Sequence, residues 1–260
     1  MARPRKNDLK NLPAGGNVTM HNTLVSASHS LNLGEKRLIS MAVAKLSPKA
    51  AALPGKPIKI LALDFAEQFG IESDVAYKQL RSAQEQLFNR SIRHLEHYGA
   101  NGQKVEVVKM RWISSIRYKD GEGEISIAFA PEIAQFLVQL KKHFTSYQLS
   151  KAAALRSTYS WRLFENLERF RDTGVWELDM DRFHVIMETP KSYRANFAQT
   201  RRWVIEPALS ELASQTNISA EVKPIKKGRK IARLRFTFEN ASQMALPLDG
   251  PEQGTVLGNA

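Results

Sequence analysis

Apolar positions recur at helical spacing after Asn32, at Leu38, Met41, Ala42 and Leu46, and Asn32 with Glu35 three residues on makes a capping box. Together they predict a helix from about Leu33 to Leu46. Ile58, Ile60 and Ala62 alternate with Lys59, Leu61 and Leu63, the period of a short strand over Pro57 to Leu63. Asp64 is placed to cap a very short helix that Gly70 stops, because glycine takes the left-handed cap without penalty. Ser73 is placed to cap the next helix, whose Ala76, Leu80, Ala83 and Leu87 form one buried stripe. Strand-like residues follow (Val105, Val107, Met110, then Trp112 and Ile116), a hairpin turn at Asp120-Gly121-Glu122-Gly123, and a return strand with Ile125, Ile127 and Phe129 inward. A helix-turn-helix followed by a hairpin is the element order of a winged helix. Pro131 is set to open a further helix, with Ile133, Phe136, Leu137 and Leu140 on one face.

The same grammar then runs a second time. Residues 151–171 read as helix (Leu155, Tyr159, Leu163, Phe164, Leu167, Phe170), and Trp176 and Leu178 as a short strand. Asp179 or Asp181 caps a short helix bearing Phe183, Ile186 and Met187, and Pro190 breaks it. Ser192 opens a long helix to about Ser214, which Pro207 kinks or restarts. Ile218, Ala220 and Val222 alternate, Pro224 to Lys230 is a basic turn, and Ala232, Leu234, Phe236 and Phe238 share one face of the return strand, opposite Arg233 and Arg235. The expected fold is α+β: two tandem winged-helix domains, at 21–145 and 146–240. A flexible basic arm at 1–20 and a disordered Pro/Gly-rich tail at 241–260 flank them.

Charge sharpens this picture. The 260 residues carry 38 Lys and Arg against 26 Asp and Glu, a net charge of +12, and a polyanionic partner is the first expectation. The excess is clustered: residues 190–235 hold eleven basic and three acidic residues. The absence of cysteine excludes disulfides, thiolate metal sites and a cysteine nucleophile, and fits a reducing, cytoplasmic setting. No apolar run reaches the ~18 residues of a membrane span, and no apolar stretch follows the basic N-terminus as in a secretory signal. No membrane partner is expected.

The candidate chemistry lies in the second long helix. Its first half, Lys191-Ser192-Tyr193-Arg194-Ala195-Asn196-Phe197-Ala198-Gln199-Thr200-Arg201-Arg202, is polar and basic, and its second half is nearly all apolar. A helix that reads DNA carries its contacts at the N-terminal end, where Arg reads guanine and Asn or Gln reads adenine. Lys226, Lys227, Arg229 and Lys230 at a hairpin tip, with Arg233 beside them, suit phosphates flanking the groove. The first helix-turn-helix presents Asp74, Tyr77, Lys78, Arg81, Gln84 and Glu85, whose charges nearly cancel. Its Lys78 and Arg81 read as backbone contacts. Enzyme signals are poor. There is no phosphate-binding loop or dinucleotide fingerprint, His94 and His97 lack a third metal ligand, and Asp179 and Asp181 sit where capping explains them. No cofactor or catalytic residue is expected.

The chain resembles the iteron-binding plasmid replication initiators, which are built from two winged-helix domains. The resemblance rests on Phe144-Thr145-x-Tyr147-x-Leu149, Arg162-Leu163-Phe164-Glu165-x-x-Glu168, Pro190-Lys191-Ser192-Tyr193 and Trp203-Val204-Ile205-Glu206-Pro207-Ala208-Leu209-x-Glu211-Leu212. It extends to the opening Asn22-Thr23-Leu24 and the final basic strand pair. Phe164 stands where the family often has tyrosine. The resemblance implies that the C-terminal domain reads double-stranded direct repeats (iterons) through Tyr193, Arg194, Asn196, Gln199, Thr200, Arg201 and Arg202, with Lys226, Lys227, Arg229 and Lys230 as the wing. It also implies an N-terminal domain that contacts DNA backbone in the monomer and forms the homodimer interface. Further partners would be a host initiator and a replicative helicase, and the dimer would repress its own gene. Two other readings of the residues stay open: a two-winged-helix transcriptional regulator at a promoter palindrome, and a DNA-acting enzyme such as a nickase.

Overall fold

A computed structural model describes residues 15–98 and 103–240. The tail at 241–260 and the first fourteen residues of the expected arm lie outside them, as does the side chain of His97. The first half contains β1 (Asn17–His21), α1 (Asn22–Val25), α2 (Leu33–Ala44), β2 (Ile58–Leu61), α3 (Ala62–Phe69), α4 (Ser73–Gln86), β3 (Ser91–Tyr98), β4 (Lys104–Arg111), β5 (Ile113–Lys119), β6 (Glu124–Phe129), β7 (Phe144–Gln148) and α5 (Leu149–Ala153). The second half contains α6 (Thr158–Arg169), β8 (Val175–Asp179), α7 (Met180–Ile186), α8 (Lys191–Arg194), α9 (Phe197–Thr200), a π-helical turn (Arg201–Ile205), α10 (Glu206–Gln215), β9 (Ile218–Lys227) and β10 (Lys230–Asn240).

The two halves share one topology. In the first, β2 pairs antiparallel with the second strand of the β5–β6 hairpin, giving the order β2-β6-β5. In the second, β8 pairs with β10 of the β9–β10 hairpin, giving β8-β10-β9. Each sheet follows a helix, a strand and a helix-turn-helix, so the chain folds as two winged-helix domains. The first domain carries an additional β3–β4 hairpin between its second helix and its wing. Gly70 ends α3 in the left-handed conformation at φ 53°, and the stripe Ala76, Leu80, Ala83 and Leu87 is buried as the spacing predicts. The second core is aromatic: Trp176 stacks on Phe236, and Phe236 on Phe183.

Several boundaries differ from the sequence expectation. Asn17–Met20, assigned to the arm, join His21 in β1 against β7, with Val18 and Met20 buried. Leu61 rather than Asp64 precedes α3, and Glu72 rather than Ser73 caps α4. The helix expected after Pro131 is a single 3-10 stretch to Phe136. The helix expected over 151–171 is interrupted, because the Ser157 side chain accepts from Tyr159 N and starts α6 afresh. His94 lies on β3 with Nε2 2.8 Å from Glu96 Oε1, and the expectation for His97 falls outside the described side chains. Among the described residues no helix is long and apolar enough to cross a membrane.

Buried polar groups tie the two domains together. Arg156 donates to the last carbonyls of α3, Phe69 O at 3.0 Å and Gly70 O at 3.3 Å, while its own N–H donates to Glu211 of α10. Glu188, past the end of α7, accepts from Ser28 Oγ, His29 N and Ser30 N at 2.5–2.7 Å, and pairs with Arg162 of α6. His29 is enclosed there, with Nδ1 facing the Arg162 guanidinium at 3.3 Å. Burial first, then the charges of Arg162 and Lys36, hold its pKa well below 6.5, and burial lowers that of His184 as well. In the fold these rings take up protons only at lower pH than in the unfolded chain, where the ordinary value is 6.5. Stability therefore falls as pH drops from 6.5 toward the lower folded value, by about 1.4 kcal/mol per pH unit for each proton. Urea midpoints at about pH 7.5 and 5.5 should show this, and His29→Gln should shrink the difference. An unchanged pH dependence in that variant would remove His29 from the account.

Candidate nucleic-acid interface

The segment expected as one helix from Ser192 is broken into four pieces, and the breaks decide which atoms face outward. Pro190 precedes α8, and the Asn196 side chain then caps α9 by accepting from Ala198 N at 2.9 Å. A cap is the competing use of Asn that a helix-interior reading overlooks. Pro207 has no N–H for the carbonyl four residues back, and the chain meets it with a π turn in which Glu206 N donates to Arg201 O. α10 restarts there, and its Ala208 and Leu212 join Val204 and Ile205 in the core.

Lys191, Ser192, Arg194, Asn196, Gln199, Arg201 and Arg202 are all exposed on this segment, and Tyr193 is half-buried. Thr200 is not at the surface. It is fully buried, its hydroxyl donates to Tyr193 O at 2.7 Å, and it serves packing between α8 and α9. Arg194 Nε donates to Thr189 O at 2.7 Å, and Arg201 pairs with Glu206 at 2.8 Å on the surface. Arg202 has no ion-pair partner among the described residues, and its guanidinium lies 5.0 Å from the Trp203 ring centroid. Trp203 is the functional candidate that the sequence reading passes over: its indole is 48% exposed, while Trp112, Trp161 and Trp176 are at most 2% exposed. The only sequence signal is that it directly precedes the buried pair Val204-Ile205, and an aromatic there reads as more core.

β9 runs through Pro224 to Lys227, so the basic connection is a two-residue turn at Gly228 and Arg229 rather than the longer loop expected. Pro224 is tolerated because β9 is the sheet edge. Lys226, Lys227, Arg229 and Lys230 crowd the exposed tip, and none has an ion-pair partner among the described residues. Arg233 is different: it pairs with Glu177 at 2.9 Å and Asp179 at 3.4 Å across β8, and Arg235 reaches Glu177 at 3.8 Å. Its charge is answered within the sheet.

The first domain is electrostatically quieter. Arg81 of α4 forms a two-pronged pair with Asp120 at its own wing tip, at 2.7 and 2.8 Å, and only Lys78 of the two expected contacts is without a counter-ion among the described residues. Arg90 is taken by Glu35 and Arg111 lies over Phe88. The second domain thus presents an open cationic tip and an arginine-rich helical segment, while in the first Arg81 and Arg90 are paired and Lys78, Arg93, Lys109 and Arg117 are exposed without ion-pair partners among the described residues. Such a surface attracts a polyanion and holds it by charge-assisted hydrogen bonds.

Residues 17–168 match the family model described as Initiator Replication protein, WH1, and residues 179–238 the one described as Initiator Rep protein, WH2. Curated relatives include the PI protein of Escherichia coli, 26% identical over 249 residues, with 85% of this chain and 82% of that protein covered. A 27.6 kDa uncharacterized protein of Escherichia coli is 24% identical over 213 residues, covering 78% and 87%. A probable replication protein rep of Bifidobacterium longum (strain NCC 2705) is 24% identical over 114 residues, 44% of this chain and 38% of that one. Among solved structures, the Pi initiator protein in complex with iteron DNA superposes with a TM-score of 0.72 at 24% identity, covering 87% of this chain and 98% of that one.

Proposed function

Because the chain belongs to the initiator replication protein family, with a WH1 domain followed by a WH2 domain, we propose that it starts plasmid replication by binding double-stranded direct repeats, iterons, at an origin. The observation that carries this reading is that the second domain holds both a largely exposed, arginine-rich segment at 191–203 and a cationic hairpin tip at Lys226, Lys227, Arg229 and Lys230 without ion-pair partners among the described residues. The segment lies in the major groove as the reading element, and the tip and Lys191 rest on flanking phosphates. Arg233 tightens the sheet rather than touching DNA. The first domain adds Lys78 to the backbone and supplies the homodimer interface. Host initiator and replicative helicase are recruited to the bound monomers, the dimer represses the protein's own gene, and the protein works in the cytoplasm without a catalytic step of its own. The structure of the relative Pi in complex with iteron DNA supports the choice of ligand.

Mobility shifts with DNA flanking the gene test the reading: tandem direct repeats should be bound in steps, and a single palindrome more weakly. Arg201→Ala should cost about 1–3 kcal/mol at the specific site and relax base choice at one position. Supercoiled DNA incubated with protein and magnesium should stay supercoiled. Relaxed or covalently linked product would replace this reading with a nickase.

A further inference from the structure

The hydrogen bonds inside the exposed segment fix the polarity of what it offers a base edge. An indole N–H only donates, so the Gln199 atom 2.9 Å from Trp203 Nε1 is the amide oxygen. A backbone N–H only donates, so the Asn196 atom bonded to Ala198 N is likewise the amide oxygen. Neither NH2 group has a hydrogen-bond partner among the described residues, and both side chains are exposed, so each can donate to a ligand. Reading adenine with two bonds takes an amide donor and an amide acceptor together, and here each oxygen is already oriented by an intramolecular N–H, with only its second lone pair left. What remains on the surface, with Arg194, Arg201 and Arg202, is a set of donors.

One apolar element interrupts that set. Trp203 has Tyr193 against one side, at 6.5 Å and 20° between planes, and the Arg202 guanidinium 5.0 Å from its ring centroid. The indole N–H is tied to Gln199, Tyr193 and Arg202 lie against the ring, and the exposed part of the indole beyond that N–H is apolar carbon. In the major groove the donor-poor, acceptor-rich edges are guanine (N7, O6) and thymine (O4), and the one apolar group is the thymine 5-methyl. We propose that this segment selects guanine and thymine along one strand of the duplex, with the Trp203 edge on a thymine methyl and the Gln199 NH2 donating to a neighbouring O4 or O6. This rests on the duplex reading above and names the base chemistry that it leaves open.

Selection from random duplexes of about two helical turns, using the full chain, tests both layers. Failure to enrich any sequence would sink the sequence-specific reading and this inference with it. If a site is enriched, its thymines are replaced singly by deoxyuridine, which removes only the methyl. Wild type should weaken about fourfold at one thymine, the worth of one buried methyl. Trp203→Ala should bind the thymine and uridine sites equally. It should also tolerate adenine beside that position, because Gln199 regains its acceptor. Trp203→Phe keeps an apolar edge without the N–H, so it should keep the methyl response yet accept adenine. Matching thermal unfolding of the three proteins controls for folding. Indifference of wild type to every methyl, or an undiminished methyl response in Trp203→Ala, overturns the inference. So does a Trp203→Ala defect confined to single-stranded oligothymidine, which would make the aromatic pair a stacking platform for unpaired bases.

Discussion

Glu165→Gln is expected to remove about 3–5 kcal/mol of folding stability, the scale for breaking one side of a buried ion pair. Glu165 is 1% exposed, Lys36 Nζ lies 2.8 Å from its carboxylate, and Tyr147 Oη donates to it at 2.6 Å while accepting from Trp161 Nε1. Burial lowers the Lys36 pKa, and the Glu165 charge is the largest influence acting the other way. Glutamine keeps the shape and removes that charge, so Lys36 is left as a buried cation without its ion-pair partner or gives up its proton. In the second case the folded chain holds fewer protons than the unfolded one below 10.5, the ordinary lysine value. The variant should then recover part of its stability as pH rises from about 7 to 9, a window in which wild type changes less. Lys36→Met combined with Glu165→Leu removes both charges and should regain most of the loss, since well-packed apolar replacements of buried pairs are neutral or better. Urea midpoints for wild type, the single variant and the double variant decide the matter. A single-variant loss under about 1 kcal/mol would mean that the pair is solvated in solution and contributes as surface pairs do.

That pair also marks the boundary of what the sequence made legible. Local signals were read correctly where both halves of the signal are close in the chain: the Asn32–Glu35 box, the Gly70 stop and the Asp120–Gly123 turn all stand in the structure. β1 pairing with β7 was not legible, because each strand is five residues long and its partner lies more than a hundred positions away. The same distance hides Lys36 from Glu165 and Glu188 from the Ser28–Ser30 loop. In the site, the sequence shows which residues are cationic and roughly where they cluster. It does not show which atoms are already spent. Thr200 turns inward, Asn196 becomes a cap and Arg81 is held by Asp120, because each meets a nearer partner once the backbone is set. Trp203 escapes for the opposite reason: nothing in the order Trp203-Val204-Ile205 says that the first side chain lies outside and the next two inside.

The cationic tip is where charge counts most directly. Replacing Lys226, Lys227, Arg229 and Lys230 together by glutamine should weaken binding to every duplex, specific or not, and reduce the slope of log K against log salt by about 3.6, which is 0.9 for each of four phosphates. Between about 50 and 200 mM salt a slope of that size amounts to roughly 150-fold, so the defect should be greatest in dilute buffer and fade as salt rises. Lys227→Ala alone should show one quarter of the slope change. The tip is exposed and its turn depends on Gly228, at φ 64°, which the substitutions leave in place, so folding should be unaffected. Base preference should also survive, because phosphates carry no sequence information directly. This separates the tip from the helical segment, where Arg201→Ala changes which bases are preferred. A quadruple variant that keeps the wild-type salt slope would place the tip away from the backbone. One that alters base preference would mean that the tip, and not the Arg201–Trp203 turn, enters the groove.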